Sequence, residues 1–408
     1  MRIGTNTIFD LGVDSIQRQT ARLLEIQQQI STNRRILVPS DDPVGSARAL
    51  EITQADAINT QYGTNSQVAG SRLGLTESVL GQAVQLLQSA REGTIQGGDG
   101  TLTQPDRASV AANIRALREE LLSLANSSDG EGNFLFSGYQ TAVKPFTANT
   151  AGVQYNGDDG ERLLQISSGR QIGVSASGAD AFMRIRQGNG SFVVASDPAN
   201  AGTLTYNPGS VTDAAALTGD DYEIRFTVVQ NPPPLEPTIT YDVVDTTTAT
   251  TVLTAQPYTA DQSIAFDGMQ VVFSGTPADG DVATIVPSTD QNIFDTLENL
   301  ADALEASLVD DSGRARLTNA LTDAVVNIDQ GIDRLTSIQG VFGSRMQESD
   351  NARDSSDSLG IQYKSNLSDI QDLDYAKAVS DLIRDQTNLQ AAQQTFVQTS
   401  RLSIFDFI

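Results

Sequence analysis

Paired carboxylates are the catalytic option that this composition leaves open. The 408 residues include no His and no Cys, so imidazole bases, thiolate nucleophiles, the Ser-His-Asp triad and the usual zinc sites have no residues to form them. Two Asp or Glu side chains can hydrolyse a glycosidic bond without either residue type. No spacing marks such a pair among the nineteen acids between Gln187 and Gly313. We therefore favour solvated surface carboxylates over a hydrolase, and we expect no catalytic residue, no cofactor and no metal.

Three short motifs could bind an ion, a phosphate or a sugar chain. The run NGDDGE at 156–161 carries several possible calcium ligands, but it lacks the twelve-residue spacing of the helix-loop-helix calcium site, and a hairpin turn is favoured. The glycines at 97–100 follow no apolar strand and precede no Lys at phosphate-loop spacing, so they indicate a flexible connection. The tripeptide at 189–191 fits the glycosylation pattern, which occurs by chance in most chains of this length.

The charge of the chain excludes two classes of partner. A net charge of -25 repels phosphate backbones and anionic lipid headgroups alike, so neither nucleic acid nor membrane insertion is expected. No stretch approaches the ~20 apolar residues of a membrane span, and the first residues lack the apolar core of a secretory signal. Arg225 is the one basic residue between Gln187 and Gly313. Most of the acidity therefore belongs to one region.

Both ends of the chain carry a narrow apolar line at helical spacing. Near the N-terminus it consists of Phe9, Ile16, Leu23, Ile30 and Leu37, one residue in every seven. Near the C-terminus it consists of Tyr375, Val379, Leu382, Leu389 and Phe396, in a four-three alternation completed by Gln386 and Gln393. Two such helices bury too little to offset the ordering cost of roughly 1 to 2 kcal/mol per residue. Our hypothesis is that they are largely disordered in the monomer and become ordered against neighbouring copies.

Helices are also expected between these ends. Asp42 can cap a helix that begins at Pro43, where the missing N–H costs nothing. Glycines at 63, 70, 74 and 81 each cost on the order of 1 kcal/mol, so the pattern leaves open whether one continuous helix follows. A second helical part begins near Asn292, with a stop expected at residues 311–313, a long run over 314–360, and a polar break around 355–358.

The middle of the chain has the period of β-strands. Strands are expected in the run NFLFSGY and in VQYNGDDGERLLQIS, the latter as a hairpin turning at 156–157 or 159–160. Apolar residues alternate from Tyr222 to Val228 and from Ile239 to Val243, and residues 267–268 (Asp-Gly) lie between two further apolar runs.

These patterns predict an α+β fold that is elongated and multi-domain. Long coiled-coil-like helices come from both chain ends, and a mainly-β outer domain is inserted between them. We expect a terminal helical domain at 1–42 plus 365–408 and a helical body with a β-hairpin at 43–182 plus 288–364. An acidic β-rich outer domain is expected at 183–287.

The two ends resemble the terminal regions of the flagellin superfamily. The segments are QISTNRRILVPSDDPVGSARAL and DLDYAKAVSDLIRDQTNLQAAQQTFVQTSRLSIFDFI. Pro43 after Asp41 and Asp42, the segment NFLFSGYQTAVKPF and the ending LSIFDFI are most similar to the hook-filament junction proteins of that superfamily.

The resemblance implies a structural protein of the bacterial flagellum, exported unfolded through the type III channel and ordered on assembly outside the cell. Its partners would be copies of itself, the first hook-associated protein, flagellin and a flagellar export chaperone. Asp41, Asp42 and Pro43 would shape the joint between the tube-forming helices and the body. The subunit interface would consist of Phe9, Ile16, Leu23, Ile30, Tyr375, Val379, Leu382, Leu389, Phe396 and the apolar tail Leu402, Ile404, Phe405, Phe407 and Ile408.

Two other functions remain open from the sequence. A filament flagellin would share the terminal helices, and it differs from a junction protein in copy number. A surface carbohydrate-binding or adhesive protein would use the β-rich domain instead.

Overall fold

The computed structural model describes residues 5–150, 152–232 and 234–401. In this part of the chain the helices are α1 Thr5–Thr32, α2 Pro43–Gly97, α3 Gln104–Ala125, α4 Ile293–Glu305, α5 Asp311–Gln371 and α6 Tyr375–Arg401. The strands are β1 Phe146–Asn149, β2 Gly152–Tyr155, β3 Leu163–Ser167, β4 Arg170–Gly173, β5 Ile185–Arg186, β6 Phe192–Ser196, β7 Thr205–Tyr206, β8 Ser210–Val211, β9 Tyr222–Val229, β10 Thr238–Asp245, β11 Thr250–Pro257, β12 Ser263–Phe266, β13 Met269–Ser274, β14 Val282–Pro287 and β15 Asp290–Gln291. This order confirms the α+β class, with long helices from both chain ends and a β-rich insertion.

The chain divides into two compact units. Unit 1 consists of Met1–Ser66 and Asn351–Ile408, and unit 2 of Gln67–Asp350. Unit 1 holds α1, α6, the first part of α2 and the last part of α5. Unit 2 holds the remaining helices and all the strands. The three-domain division expected from the sequence stays a prediction.

Helix α1 ends before the last residue of the heptad line. It stops at Thr32, and Asn33 follows in the left-handed region with a φ of 54°. Phe9, Ile16 and the next two heptad residues are therefore helical, as expected. Leu37 lies in the connection to α2, and its assignment to the helical line was wrong.

Helix α2 is unbroken from Pro43 to Gly97. In unit 2 its glycines at 70, 74 and 81 face α5. A Cβ atom on Gly74 would lie 3.7 Å from Met346 Sδ, and one on Gly81 would lie 3.3 Å from Gln339 Nε2. The glycines therefore let the two long helices approach closely, and this packing offsets their low helix propensity.

Helix α5 begins where the sequence indicated a stop. Oδ1 of Asp310 accepts hydrogen bonds from the Gly313 backbone N–H at 2.7 Å and from the Ser312 hydroxyl at 2.9 Å. The residues expected to end one helix therefore start the next, because an acidic cap serves the free N–H groups of a helix N-terminus. The helix then continues to Gln371, so the polar break expected at 355–358 was wrong.

The strands from β6 to β14 form an antiparallel sandwich. One sheet has the order β11-β10-β9-β14-β6 and the other β12-β13-β7, with β8 also paired to β13. Strands β9 and β10 confirm the two predicted alternations, and Asp267 and Gly268 turn between β12 and β13 with φ values of 42° and 75°. The large residues buried in its core include Phe192, Tyr206, Tyr222, Ile224, Phe226, Val271, Phe273 and Ile285.

The strands of segment 146–173 pair differently from the prediction. Strand β1 pairs with β2, and β3 pairs with β4, so the run NGDDG is not a hairpin turn between β2 and β3. Asp158 Oδ1 instead accepts the backbone N–H groups of Tyr139 and Gly160, both at 2.8 Å. The run NFLFSGY forms turns and isolated bridges rather than a strand.

Polar side chains of α5 hold the sandwich within unit 2. Asn319 Oδ1 accepts the backbone N–H of Tyr206 at 3.2 Å, and Asp323 Oδ2 accepts the Tyr206 hydroxyl at 2.9 Å. Asn327 Oδ1 accepts the backbone N–H of Gly188 at 2.9 Å. Burial raises the pKa of Asp323 to about 6, although the Tyr206 hydroxyl opposes this shift.

Among the helices in the described ranges, none combines the length and apolarity needed to cross a bilayer.

Candidate subunit interface

Helices α1 and α6 pack against each other in unit 1. The rings of Phe9 and Phe396 meet with their centroids 5.0 Å apart. Gly12 lies against the same Phe396 ring, because a Cβ atom at Gly12 would be 2.6 Å from Phe396 Cδ2. In the sequence Gly12 occupies the other seam position of its heptad, between the apolar residues Phe9 and Ile16. In the structure it is the residue that lets the ring approach α1.

Six of the predicted interface residues lie in a half-buried seam. Its members repeat at steps of three and four, and they are Gly12, Ile16, Gln19, Leu23, Ile26 and Ile30 in α1 and Leu382, Asp385, Leu389, Ala392 and Phe396 in α6. The α6 seam passes through Asp385 and Ala392, whereas the predicted Gln386 and Gln393 are exposed. The buried face of α6 therefore includes the residues three positions after Leu382 and Leu389, whereas the prediction had used the residues four positions after them. The role of these residues between copies of the chain stays a prediction.

The remaining predicted residues lie at the border of the seam or beyond the described chain. Val379 is half-buried, whereas Phe9 is 52% exposed and Tyr375 is 59% exposed. The predicted apolar tail, Leu402, Ile404, Phe405, Phe407 and Ile408, lies outside the described residues.

Large aliphatic residues next to the seam point away from it. Leu11 is 58% exposed, Leu24 is 59% exposed and Ile383 is 59% exposed. Sequence reasoning missed these residues because it followed a single line on each helix. They could have been found from their position in the sequence, since each one directly precedes or follows a seam residue. Exposed aliphatic surface of this kind is typical of a helix pair that a further protein surface covers.

The predicted joint has a defined hydrogen-bond structure. Asp42 Oδ1 accepts the backbone N–H of Gly45 at 2.8 Å, and α2 begins at Pro43, so the predicted cap is confirmed. Asp41 Oδ2 accepts the backbone N–H groups of Leu37 and Val38 at 3.0 and 2.9 Å. The two carboxylates therefore fold the connection back on itself before α2 starts. Their role as a joint between domains stays a prediction.

Arg35 joins the two ends of the chain within unit 1. Its backbone N–H donates to the Gln371 carbonyl at 2.8 Å, and its guanidinium donates to the Ile370 carbonyl at 2.6 Å and to Asp42 Oδ2 at 3.5 Å. Sequence reasoning missed Arg35 because the Ile370 carbonyl is 335 residues away. Asp374 was also missed, although it caps α6 through the Lys377 backbone N–H at 3.1 Å, and the rule that identified Asp42 could have found it.

A buried polar pair joins α2 and α5 within unit 1. Asn59 Nδ2 donates to the Ser356 carbonyl at 2.6 Å, and the Ser356 hydroxyl donates to the Asn59 carbonyl at 2.7 Å. Both residues are buried. This reciprocal pair fixes the register of the two helices, because a shift would leave buried polar groups without partners.

No cluster of three or more acidic side chains suited to a metal ion is found in the described part of the chain.

Both ends of the chain match family models of bacterial flagellin. The family model of the bacterial flagellin N-terminal helical region matches residues 3–141, and that of the bacterial flagellin C-terminal helical region matches residues 325–408.

The relatives include flagellar hook-associated proteins and, at lower identity, flagellins. The chain is 36% identical over 185 residues to flagellar hook-associated protein 3 of Salmonella typhimurium, a match that covers 45% of this chain and 58% of that protein. The crystal structure of hook-associated protein 3 from Legionella pneumophila has a TM-score of 0.74 at 29% identity and covers 78% of this chain and 98% of its own. A crystal structure of Xanthomonas campestris FlgL has a TM-score of 0.67 at 30% identity and covers 78% of this chain and 99% of its own.

Proposed function

The chain belongs to the flagellar hook-associated protein 3 (FlgL) family, and from that premise we propose that it is a structural subunit of the bacterial flagellum. It forms the junction zone between the hook, through the first hook-associated protein, and the flagellin filament. The observation that carries this proposal is the exposed aliphatic surface of the α1–α6 pair, at Leu11, Leu24 and Ile383. A lone chain leaves this surface in water, whereas copies arranged around an axis would bury it.

The proposed partners follow from this position. They are copies of the chain itself, the first hook-associated protein, flagellin and a flagellar export chaperone. The protein would be synthesised in the cytoplasm, exported through the type III channel and assembled outside the cell. Its contribution is mechanical rather than catalytic, and the acidic sandwich would face solvent, where like charge discourages clumping.

The interface is tested in a strain that lacks the gene and receives it on a plasmid. Leu382→Asp together with Leu389→Asp places two charges on the half-buried seam. Burying an unpaired carboxylate is costly, so we expect hooks without filaments and flagellin released to the medium. The matched control is Gln386→Asp together with Gln393→Asp, which adds the same charge on the exposed side of α6. The control should restore swimming. Normal motility of the first double variant would refute the interface.

A filament flagellin is the second candidate, because the two matched family models describe flagellin regions. Copy number separates the two functions. A flagellin is the main component of sheared filaments, whereas a junction subunit is a trace component that quantitative mass spectrometry would detect near the hook end.

A further inference from the structure

An open groove of unit 1 lies between the connection that follows α1 and the first turns of α2. It has a volume of about 230 Å³, less than the roughly 300 to 1,000 Å³ of pockets that bury a small organic ligand. Its aliphatic walls are Ile36, Leu37, Val38 and Leu50, of which Val38 is 50% exposed and Leu50 is 70% exposed. The groove therefore offers exposed aliphatic surface to a few side chains of another protein segment.

The charge at this groove is basic. Among the described residues that line it, Arg34 is the one with a charged side chain, and we name the site the Arg34 groove. The ion pairs in the described part of unit 1 are Arg18–Asp14, Arg35–Asp42 and Arg384–Asp381. Arg34 takes part in none of them. The Arg34 groove thus suits an apolar segment that carries one carboxylate.

The segment that follows α6 has this composition. Residues 402–408, named here the tail, read LSIFDFI and contain two phenylalanines, two isoleucines and one leucine. Asp406 is the one acidic side chain among them, and Phe405 and Phe407 are its neighbours. An ion pair between Asp406 and Arg34 would therefore bring a large apolar ring to the aliphatic walls of the groove.

The tail of a copy cannot reach the groove of the same copy. The groove lies where α1 ends and α6 begins, because Arg34 forms a β-bridge with Asp372, whereas the tail follows the opposite end of α6. Helix α6 has 27 residues and is about 40 Å long at 1.5 Å per residue. Seven residues span at most about 25 Å when fully extended. A tail that fills the groove must therefore come from another chain.

We propose that the Arg34 groove binds the tail of a second copy of the chain, with Asp406 paired to Arg34. Every copy carries both the groove and the tail, so one contact repeated from copy to copy satisfies both surfaces. A guanidinium binds a carboxylate through two parallel hydrogen bonds, which fixes the position of the tail. The inference rests on the proposed function, since assembly is what brings the tail of one copy beside the groove of another.

The experiment places a photo-cross-linking amino acid at Leu50 of the full chain, expressed in the deletion strain. Intact flagella are irradiated, and the cross-linked peptides are identified by mass spectrometry. We expect Leu50 to cross-link to a peptide that contains residues 402–408, in a species with twice the mass of the chain. A cross-link to the tail within a single chain would contradict the reach of seven residues.

Charge variants test the proposed ion pair. Arg34→Glu should lower the cross-link yield by at least about tenfold, because it sets like charges opposite each other. Adding Asp406→Arg to the same chain reverses both charges and should restore the yield. If Arg34→Glu blocks assembly, the restoration of flagella by the added Asp406→Arg is the readout instead. Arg353→Glu is the matched control, since Arg353 is exposed in the same unit and does not line the groove, and it should leave the yield unchanged.

The outcomes separate this inference from the proposed function. If flagella assemble but Leu50 cross-links to another segment, to another protein or to none, the Arg34 groove does not bind the tail of a second copy. An undiminished yield in Arg34→Glu, or a loss that Asp406→Arg does not restore, overturns the ion pair. If the unmodified chain fails to restore flagella to the deletion strain, the proposed function fails, and the inference fails with it.

Discussion

Asp323 provides a quantitative test of how the β sandwich is held on α5. Its carboxylate accepts the Tyr206 hydroxyl at 2.9 Å, and burial raises its pKa from 3.8 to about 6. An acid with a raised folded-state pKa binds its proton more tightly in the folded protein. The stability that it contributes is therefore fully present below pH 3.8 and is lost as the pH rises through about 6.

The change in the free energy of unfolding follows from the pKa shift of Asp323. One pKa unit corresponds to 1.36 kcal/mol, so a rise of roughly two units changes the free energy of unfolding by about 3 kcal/mol between pH 4 and pH 7.5. Asp323→Asn removes this titration and keeps an oxygen that can accept the Tyr206 hydroxyl. We expect the variant to gain about 3 kcal/mol relative to wild type over that pH range.

The assay is urea unfolding of the purified full chain at a series of pH values, followed by tyrosine fluorescence because the chain has no Trp. The difference between the two proteins is the relevant quantity, since acids such as Asp159, whose pKa the Arg184 guanidinium lowers, change stability in the opposite direction. Tyr206→Phe is an internal check. Losing the hydroxyl should raise the pKa of Asp323 further and steepen the pH dependence. A constant difference between wild type and Asp323→Asn across the series would refute the reasoning.

Two further substitutions test the helix contacts of unit 1. Gly12→Ala places a methyl carbon 2.6 Å from Phe396 Cδ2 and should weaken the α1–α6 pair by about 1 to 3 kcal/mol; amide exchange across α1 should be faster than in Gly100→Ala, and equal rates would contradict the contact. Asn59→Ala leaves buried groups of Ser356 without partners and should cost about 1 to 3 kcal/mol, seen as a lower midpoint of thermal unfolding, whereas Gln61→Ala on the exposed side of α2 should change little.

Helical residues and strand residues could be predicted from period alone, because each period reports which side chains share a face. The heptad positions Ile16 and Leu23 and the alternation of β9 needed no tertiary information. The cap at Asp42 was predictable for the same reason, since it depends on residues within one turn. The prediction failed where one local pattern admits two outcomes. Residues 311–313 can end a helix or begin one, and a run such as NGDDG can turn a hairpin or bind distant backbone.

The glycines show most clearly what could not be predicted from the sequence. In the sequence, Gly12 lay outside the apolar line, and Gly81 left open whether one continuous helix follows Pro43. In the structure, Gly12 admits the Phe396 ring, and Gly81 faces Gln339. The sequence does not show which group occupies the space next to a glycine. Only the fold therefore distinguishes a glycine that merely weakens a helix from one that permits a close contact.

The sequence by itself determined the helical ends, the acidic β-rich insertion and the absence of histidine and cysteine chemistry, because composition and period are properties of neighbouring residues. The tertiary structure decided which face of α6 forms the seam and which charges are compensated. It paired eleven of the fourteen arginines of unit 2 with acids at ion-pair distance, whereas Arg72 acts on the Asp129 carboxylate only through a longer-range charge interaction. Many of these ion pairs join residues that are distant along the chain, such as Arg91 with Asp329 and Arg170 with Glu348. The sequence therefore gives the number of charges, and only the fold determines which of them are paired.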